Sequence, residues 1–432
     1  RGERGLIEWC KNHRLALLHY WSGEFPLKQV SGVSVTKDGW PKVLGRELFR
    51  ASTDSTLVKR LLLTCLFSTR AFEAGTKPDT RPITDPLSVA DLPDIGEYAT
   101  LFWRTLGYRP SQTMVPRGVY FRKFHMTSKA GPSKGSAIWG SMKDFGLILG
   151  NSTLTSDLLT LGGKKFEKVF NTLKDNYHLV PKVINPSLGT TLRRLTSFPD
   201  KELKVRTVAI LDYFSQSVLR AFHDYLFKVL RKIPQDCTFN QGKFLTLTKD
   251  WTEFYSIDLT AATDRFPIQI ISIVLKGLLP SAYVDAWVRV MVGLPFDYNG
   301  VPLKYAVGNP MGAYSSWNSF AVAHHYVMYW CCKQLNIPWK LAKYALLGDD
   351  ILIGDRRLAE LYKATMMRLG VEISSIKTHD SSRLFEFAKR LVLDGTEITP
   401  FPISSLAESS KKFYLLVNLL QEESRKGWTW SN

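Results

Sequence analysis

Tyr344-Ala-Leu-Leu-Gly-Asp-Asp-Ile-Leu-Ile-Gly354 decides how the rest of this chain is read. Two short apolar runs, one ending at Leu347 and one starting at Ile351, flank the corner Gly348-Asp349-Asp350. Apolar runs of strand length on either side of such a corner predict a tight β-hairpin. No polar residue interrupts either run, so these strands are expected to be buried. Two adjacent carboxylates then stand at the tip of a rigid ribbon. A carboxylate in that position is unfavourable unless it is solvated, capped or bound to a cation. Gly and Asp are also ordinary turn residues, so the triplet alone leaves a solvated turn open beside a metal site. The decision lies upstream.

The chain has 432 residues, which suits two or three domains or one multi-lobed fold. At 45% hydrophobic and 22% charged it has the composition of a folded protein, not a disordered one. Lys and Arg total 57 against 39 Asp and Glu, a net charge of +18. That excess points to a polyanionic partner, nucleic acid ahead of an anionic membrane. The aromatic share of 12%, with 12 Trp, supplies stacking surface as well as core. Cys10, Cys65, Cys237, Cys331 and Cys332 are odd in number and form no C-x-x-C. Reduced thiols in an intracellular setting are therefore expected, rather than a disulfide framework. No His or Cys spacing suggests structural zinc. No uncharged apolar run reaches about 18 residues, so no membrane span is expected; residues 320–332 come nearest but contain His324 and His325. The chain starts at Arg1 rather than Met, as a fragment or a processed product would.

Periodicity places helices over residues 6–21, 55–72, 215–231 and 316–333, and an extended segment over 77–96. Strands are expected at 207–211 and at 254–257, the latter ending at Asp258. Asp355 is placed to N-cap a helix that Gly370 closes, and Val371 and Ile373 to open the next strand. Asp394-Gly395 marks a further hairpin, and residues 400–432 look helical.

Asp258-Leu-Thr-Ala-Ala-Thr-Asp264 is the second acidic site. A strand-end carboxylate at Asp258 converges with Asp349 and Asp350 if the two strands are neighbours. Two divalent cations need several carboxylates on rigid elements, and such a pair stabilises both the attacking and the leaving oxygens in phosphoryl transfer. Mg²⁺ suits an all-oxygen set that leaves room for phosphates. Asp258 would equally cap a helix starting near Thr260, and Asp264 would equally be a first-turn helix charge. Gly308-Asn-Pro-Met-Gly-Ala-Tyr-Ser-Ser-Trp-Asn318 is a loop of small residues entering a helix. It can admit a nucleotide or a nucleic-acid backbone, with Ser315, Ser316 and Asn318 as neutral hydrogen-bonding groups, or be a structural turn. Lys204 and Arg206 can neutralise a triphosphate or sit on a solvated edge. Lys377 can protonate a leaving pyrophosphate or be a surface lysine.

Taken in order, these items resemble motifs A, B and C of the palm of viral RNA-dependent RNA polymerases. Finer stretches resemble mitovirus replicases, the enzymes of capsidless single-stranded RNA elements of host mitochondria. They are Lys204-Val-Arg-Thr-Val-Ala-Ile-Leu-Asp212, Gln216, His223-Asp224, Asp236-Cys-Thr-Phe-Asn-Gln241, Ser256-Ile-Asp-Leu-Thr-Ala-Ala-Thr-Asp-Arg265, Tyr305-Ala-Val-Gly-Asn-Pro-Met-Gly312, Ser315-Ser-Trp317 and Glu386-Phe-Ala-Lys-Arg390. Cys237 departs from the family's usual Gly and Asn309 from a common Gln.

The resemblance implies an α+β right-hand polymerase: an antiparallel-sheet palm, fingers, and a short or truncated thumb. It divides the chain into an N-terminal region packing on fingers (1–115), fingers with a basic nucleotide-entry segment (116–250), a palm (251–397) with a fingers insertion near 266–305, and the start of a thumb (398–432). It implies that Asp258 and Asp349 hold Mg²⁺, or Mn²⁺, with Asp350 assisting, and that Lys377 is the general acid. Asp264 reads the ribose 2′-hydroxyl, and a further ribose contact falls to Ser315, Ser316 or Asn318. Lys204 and Arg206 take the triphosphate, and Arg193, Arg194, Gly312, Lys389 and Arg390 meet RNA. The implied partners are a single-stranded RNA template, the nascent RNA and NTPs, in a host mitochondrion, with no obligate protein partner. Two rivals remain open: a reverse transcriptase, and a decayed, host-integrated RNA-binding copy.

Overall fold

The computed structural model describes residues 2–23, 32–72, 77–87, 94–133, 135–182, 191–374 and 378–429. Its strands among these are β1 (Arg193–Pro199), β2 (Val205–Leu211), β3 (Phe254–Asp258), β4 (Phe296–Tyr298), β5 (Val301–Leu303), β6 (Tyr344–Leu347), β7 (Asp350–Ile353), β8 (His379–Ser381), β9 (Leu384–Phe387), β10 (Arg390–Leu393) and β11 (Thr396–Glu397). They make three sheets, ordered β2-β1-β4-β5, β6-β7-β3-β8 and β11-β10-β9. With helices covering them, the architecture is α+β.

The sheet β6-β7-β3-β8 is antiparallel throughout. The expected hairpin is its β6–β7 pair, in the register Tyr344↔Ile353 to Leu347↔Asp350. Side chains alternate across a strand. One set, Tyr344, Leu346, Ile351, Ile353, Tyr255 and Ile257, enters the main core with Phe320 and Tyr362. The other, Ala345, Leu352 and Phe254, packs against Phe244, Phe385 and Phe387. Both faces are thus dry, which is why the strands read as unbroken apolar runs. Truncating Leu352 to Ala is expected to destabilise the fold by about 2–5 kcal/mol.

The Ser316–Gln334 helix runs beneath this sheet, buried on nearly every side. Next to it lies the Tyr213–Leu230 helix, N-capped by Asp212, whose Oδ1 accepts from the Ser215 amide at 2.7 Å. That helix follows directly from β2. The β1–β2 hairpin runs from Arg193↔Leu211 to Pro199↔Val205. Its tip holds Glu202 and Leu203 at positive φ. The Glu202 carboxylate accepts from Arg14 at 3.0 Å and from Thr69 at 2.8 Å, binding the tip to the N-terminal Gly2–Ser22 helix. Lys201 reaches Ser404 at 3.1 Å and Glu408 at 3.0 Å on the Ile403–Ser409 helix.

Asp355 caps the Arg356–Arg368 helix as expected, its Oδ1 accepting from Leu358 N at 3.1 Å. Val371 and Ile373 do not open a strand. Ile373 makes an isolated bridge to Leu259, and the next strand starts at His379. The chain meets β3 just as β3 bends away: Ala261 is left-handed, and a one-turn Ala262–Arg265 helix follows. Only one pair can align there. Pro267 keeps that helix short, since the residue before a proline is driven to extended geometry, and Phe266 has φ −71° and ψ 120°. The 77–87 part of the segment expected to be extended contains the short Arg81–Thr84 helix; residues 88–93 lie outside the described ones.

All five cysteines are free, and only Cys65 is exposed. Burial pushes the thiols of Cys237, Cys331 and Cys332 up to about 12. No described helix is long and apolar enough to cross a membrane.

Candidate active site

Three carboxylates meet at one end of the central sheet. Asp258 and Asp350 are direct partners in the β3–β7 register. Asp349 is the corner residue between β6 and β7, preceded by Gly348 at φ +62°. A side chain at Gly348 would be strained, and its Cβ would stand 2.7 Å from the Trp317 indole nitrogen. Burial raises the Asp349 carboxyl above its usual range, and the neighbouring Asp258 charge adds to the rise, while Arg206 and Lys389 oppose it. Burial, then the charges of Asp349, Glu386 and Asp258, push Asp350 up to about 7. Like charges crowd a site of low polarity here, and a cation is what relieves such crowding. Among the described residues no three His, Cys, Asp or Glu side chains are drawn into a formed metal site. The donors, all hard oxygens on strand ends, fit Mg²⁺ or Mn²⁺.

The glycine-rich loop is tied to the segment after β3. Gly308 N donates to Asp264 O at 3.0 Å and Asn309 N to Thr263 O at 3.1 Å. A Cβ on Gly308 would lie 2.3 Å from the Thr263 carbonyl, so only glycine permits this approach. Burial pushes Asp264 up to about 7, and its Oδ1 has no hydrogen-bond partner. Asn309 accepts from the Ser316 hydroxyl through Oδ1 and leaves Nδ2 without a partner. Asn318 donates to the His223 carbonyl at 2.6 Å, and its own Oδ1 is likewise unpartnered. A buried polar atom left in that state is unfavourable by about 1–3 kcal/mol. The unpartnered atoms of Asp264 and Asn309, on adjoining segments, fit a polar ligand that completes them.

Ser315 is different: it is fully buried at φ +68°, accepts from Trp287 Nε1 at 2.9 Å, and donates its amide to His223 Nδ1 at 3.2 Å. It anchors the loop. Gly312 is exposed, but its missing side chain serves the fold. A Cβ there would sit 2.5 Å from the Ala209 carbonyl on β2. Gln216 fastens the same loop, donating to Gly312 O at 3.0 Å and accepting from Tyr314 N at 2.8 Å.

The basic residues separate into two groups. Arg206 is exposed, its charge is felt at Asp349, and it pairs with Asp200 at 2.5 Å. Lys204, also exposed, closes the turn through its carbonyl, which accepts from Asp200 N at 2.7 Å. Lys389 is exposed in the β9–β10 turn, and its charge reaches Asp349 and Asp350. Two of the expected RNA contacts are engaged within the fold. Arg193 is 1% exposed and binds Asp212 at 2.7 Å, Ser215 at 3.2 Å and the Val290 carbonyl at 3.1 Å. Arg390 is bidentate to Glu397 at 2.8 and 2.5 Å. Arg193 is a structural clamp, because a buried guanidinium needs its carboxylate, and Arg390 ties β10 to β11. Arg194 donates to the Gly131 carbonyl at 3.2 Å and lines a groove of about 900 Å³ with Pro132, Asn151 and Asp297. Lys377 lies outside the described residues. Sequence reading missed Asp200 and Glu202, although acids inside a basic segment are a visible signal.

The model of the family described as mitovirus RNA-dependent RNA polymerase matches residues 119–432. The RNA-directed RNA polymerase of Cryphonectria parasitica mitovirus 1 is 36% identical over 203 residues, 46% of this chain and 25% of that protein. An uncharacterised mitochondrial protein of Arabidopsis thaliana is 33% identical over 156 residues, 34% of this chain and 76% of its own length. A second one is 35% identical over 211 residues, 45% of this chain and 80% of its own. The matched part thus spans about a quarter of the fungal-virus protein and most of the two plant ones. Among solved structures, the RNA-dependent RNA polymerase of a human picobirnavirus gives a TM-score of 0.39 at 14% identity, over 48% of this chain and 45% of that one.

Proposed function

This chain belongs to the mitovirus RNA-dependent RNA polymerase family, and we propose that it carries out template-directed RNA synthesis. A 3′-hydroxyl attacks the α-phosphate of an NTP in line and pyrophosphate leaves. The observation that carries this reading is the register that sets Asp258 opposite Asp350, with Asp349 at the adjoining corner. Asp258 and Asp349 would hold the divalent cations, with Asp350 assisting. Bound there, Mg²⁺ or Mn²⁺ supplies charge neutralisation at the attacking and departing oxygens.

The remaining work falls to the chain's own groups. Asp264 Oδ1 and Asn309 Nδ2, both unpartnered, face the incoming ribose and select the 2′-hydroxyl. Ser316 and Asn318 support that pocket. Arg206 and Lys204 receive the triphosphate, Arg206 exchanging Asp200 for phosphate as it does so. Lys377 delivers the proton to pyrophosphate. Arg194 and Lys389, with the general excess of positive charge, accompany template and product RNA, so binding weakens steeply with salt. The mitochondrial relatives support a host mitochondrion as the site of action.

The test is Mg²⁺-dependent extension of a self-priming RNA with rNTPs and dNTPs in parallel. Extension with rNTPs only, lost in Asp349→Ala, is the expected result. Preference for dNTPs would favour a reverse transcriptase, and RNA binding without extension a decayed copy.

A further inference from the structure

The Ser316–Gln334 helix carries two adjacent histidines, His324 and His325, both fully buried. A buried imidazole is tolerated only where its ring nitrogens find partners, and here all four do. His324 Nδ1 lies 2.8 Å from the Gly348 carbonyl oxygen and Nε2 2.6 Å from the Tyr362 hydroxyl. A carbonyl only accepts, so Nδ1 bears the proton and Nε2 accepts from Tyr362. His325 is wired the other way. Its Nε2 lies 3.1 Å from an Asp236 carboxylate oxygen and donates to it. Its Nδ1, 3.0 Å from the Tyr344 hydroxyl, accepts, while that hydroxyl accepts in turn from Trp339 Nε1 at 2.8 Å. Neighbouring rings in opposite tautomers therefore grip the β6–β7 hairpin at both ends, His325 at its first residue and His324 at its corner.

The corner is where such a grip matters. Gly348 is the most conformationally free residue of the hairpin and the peptide after it leads into Asp349. A glycine turn can exchange one peptide orientation for its flipped form at little energetic difference. The Trp317 indole blocks one side of Gly348. The peptide's own carbonyl is fixed by His324.

We propose that His324 is a positioning residue: its Nδ1–H bond to the Gly348 carbonyl, with the tautomer set by Tyr362, fixes the peptide that aims the Asp349 carboxylate at the Asp258 site. A histidine that merely fills the core would protect stability alone. A positioning histidine also controls cation affinity and turnover. The inference rests on the polymerase reading for turnover, but not for cation affinity.

Asparagine places an amide nitrogen where Nδ1 stands, whereas glutamine reaches toward Nε2, and leucine offers neither. The experiment measures kcat, KM for NTP, Mn²⁺ affinity by electron paramagnetic resonance, and Tm, in His324→Asn, His324→Gln, His324→Leu and Tyr362→Phe. His324→Gln and His324→Leu are expected to lose roughly 10–100-fold in kcat and about tenfold in Mn²⁺ affinity, with KM changed by no more than about twofold. His324→Asn should recover most of both, and Tyr362→Phe, which keeps the donor but frees the tautomer, should lose less than glutamine does. An inactive wild-type chain whose Mn²⁺ affinity still follows this order would overturn the polymerase reading and keep the positioning role. Unchanged Mn²⁺ affinity in folded His324→Gln, or asparagine no better than glutamine at equal Tm, would overturn the positioning role.

Discussion

Two hairpins point charge at the same place and are held by opposite means. The β6–β7 hairpin presents Asp349 and Asp350, and the bonds on its frame are made in the dry interior, from Gly348 to His324 and from Tyr344 to His325. The β1–β2 hairpin presents Lys204 and Arg206, and ions hold its tip: Glu202 with Arg14, Asp200 with Arg206, Lys201 with Glu408. Bonds between neutral buried groups are indifferent to salt, whereas the solvent-accessible Asp200–Arg206 and Lys201–Glu408 pairs are screened and contribute about 0–1 kcal/mol each, leaving the buried Glu202–Arg14 pair as the anchor of the tip. The acidic hairpin is therefore the fixed reference and the basic one the adjustable partner. That division suits a site where cations must be placed to a fraction of an ångström while substrate phosphates come and go.

The largest effect expected is on the fixed side. Asp349→Ala should lower nucleotide incorporation on the order of a thousandfold or more. Its Tm should hold or rise, because one of several crowded negative charges is gone. RNA binding, measured by filter retention, should be unaffected.

Next comes the buried part of the adjustable side. Glu202→Gln leaves Arg14 facing a neutral group in a site where Glu202 is 6% exposed. A loss on the order of 3 kcal/mol is expected from breaking one partner of a buried pair, read by urea denaturation. KM for NTP should rise with it, since the tip carries the triphosphate residues; an unaltered KM would mean that the tip and the basic strand are uncoupled.

The acidic cluster should also respond to pH. Asp350 and Asp264 are both raised to about 7 in the folded state, well above the ordinary carboxylate range. Their protonated forms favour the fold, so that contribution is complete below pH about 4 and disappears as pH rises through about 7. Tm without divalent cation should therefore fall between pH 5 and 8, and Mg²⁺ should reverse part of the fall. Cation affinity should weaken by up to about tenfold per pH unit below 7, because a proton must leave first. Asp350→Asn should flatten both curves.

The smallest change expected is at the exposed pair. Asp200→Asn releases Arg206, should alter stability by less than about 1 kcal/mol, and should lower KM for NTP a few-fold at low salt. At high salt the difference from wild type should vanish. A difference that persists would mean the pair is structural.

The two hairpins also differ in how far the sequence reveals them. The β6–β7 ribbon is legible because its signal is local: two apolar runs, a corner, and Asp355 placed to cap the next helix. The β3 strand and the Tyr213–Leu230 helix were legible for the same reason. Pairings between distant residues were not. Arg193 reads as one more free cation until Asp212, 19 positions on, takes its guanidinium inside. Arg390 reads the same way until Glu397 pairs with it. Val371 and Ile373 have strand composition, but a strand needs a straight neighbour, and β3 ends at that point. His324 and His325 appeared only as an interruption in an apolar run. The interruption itself was the clue, since two imidazoles inside a buried helix require partners that no periodicity can name.

The thiol pattern has a practical consequence. With four cysteines enclosed and three of those held far from thiolate formation, only Cys65, on the Thr56–Phe67 helix, meets solvent. Maleimide chemistry should thus attach a dye or spin label at a single address on the unmutated chain. Distances from that address to a labelled oligonucleotide would track the strand's path across the molecule without altering any residue discussed above.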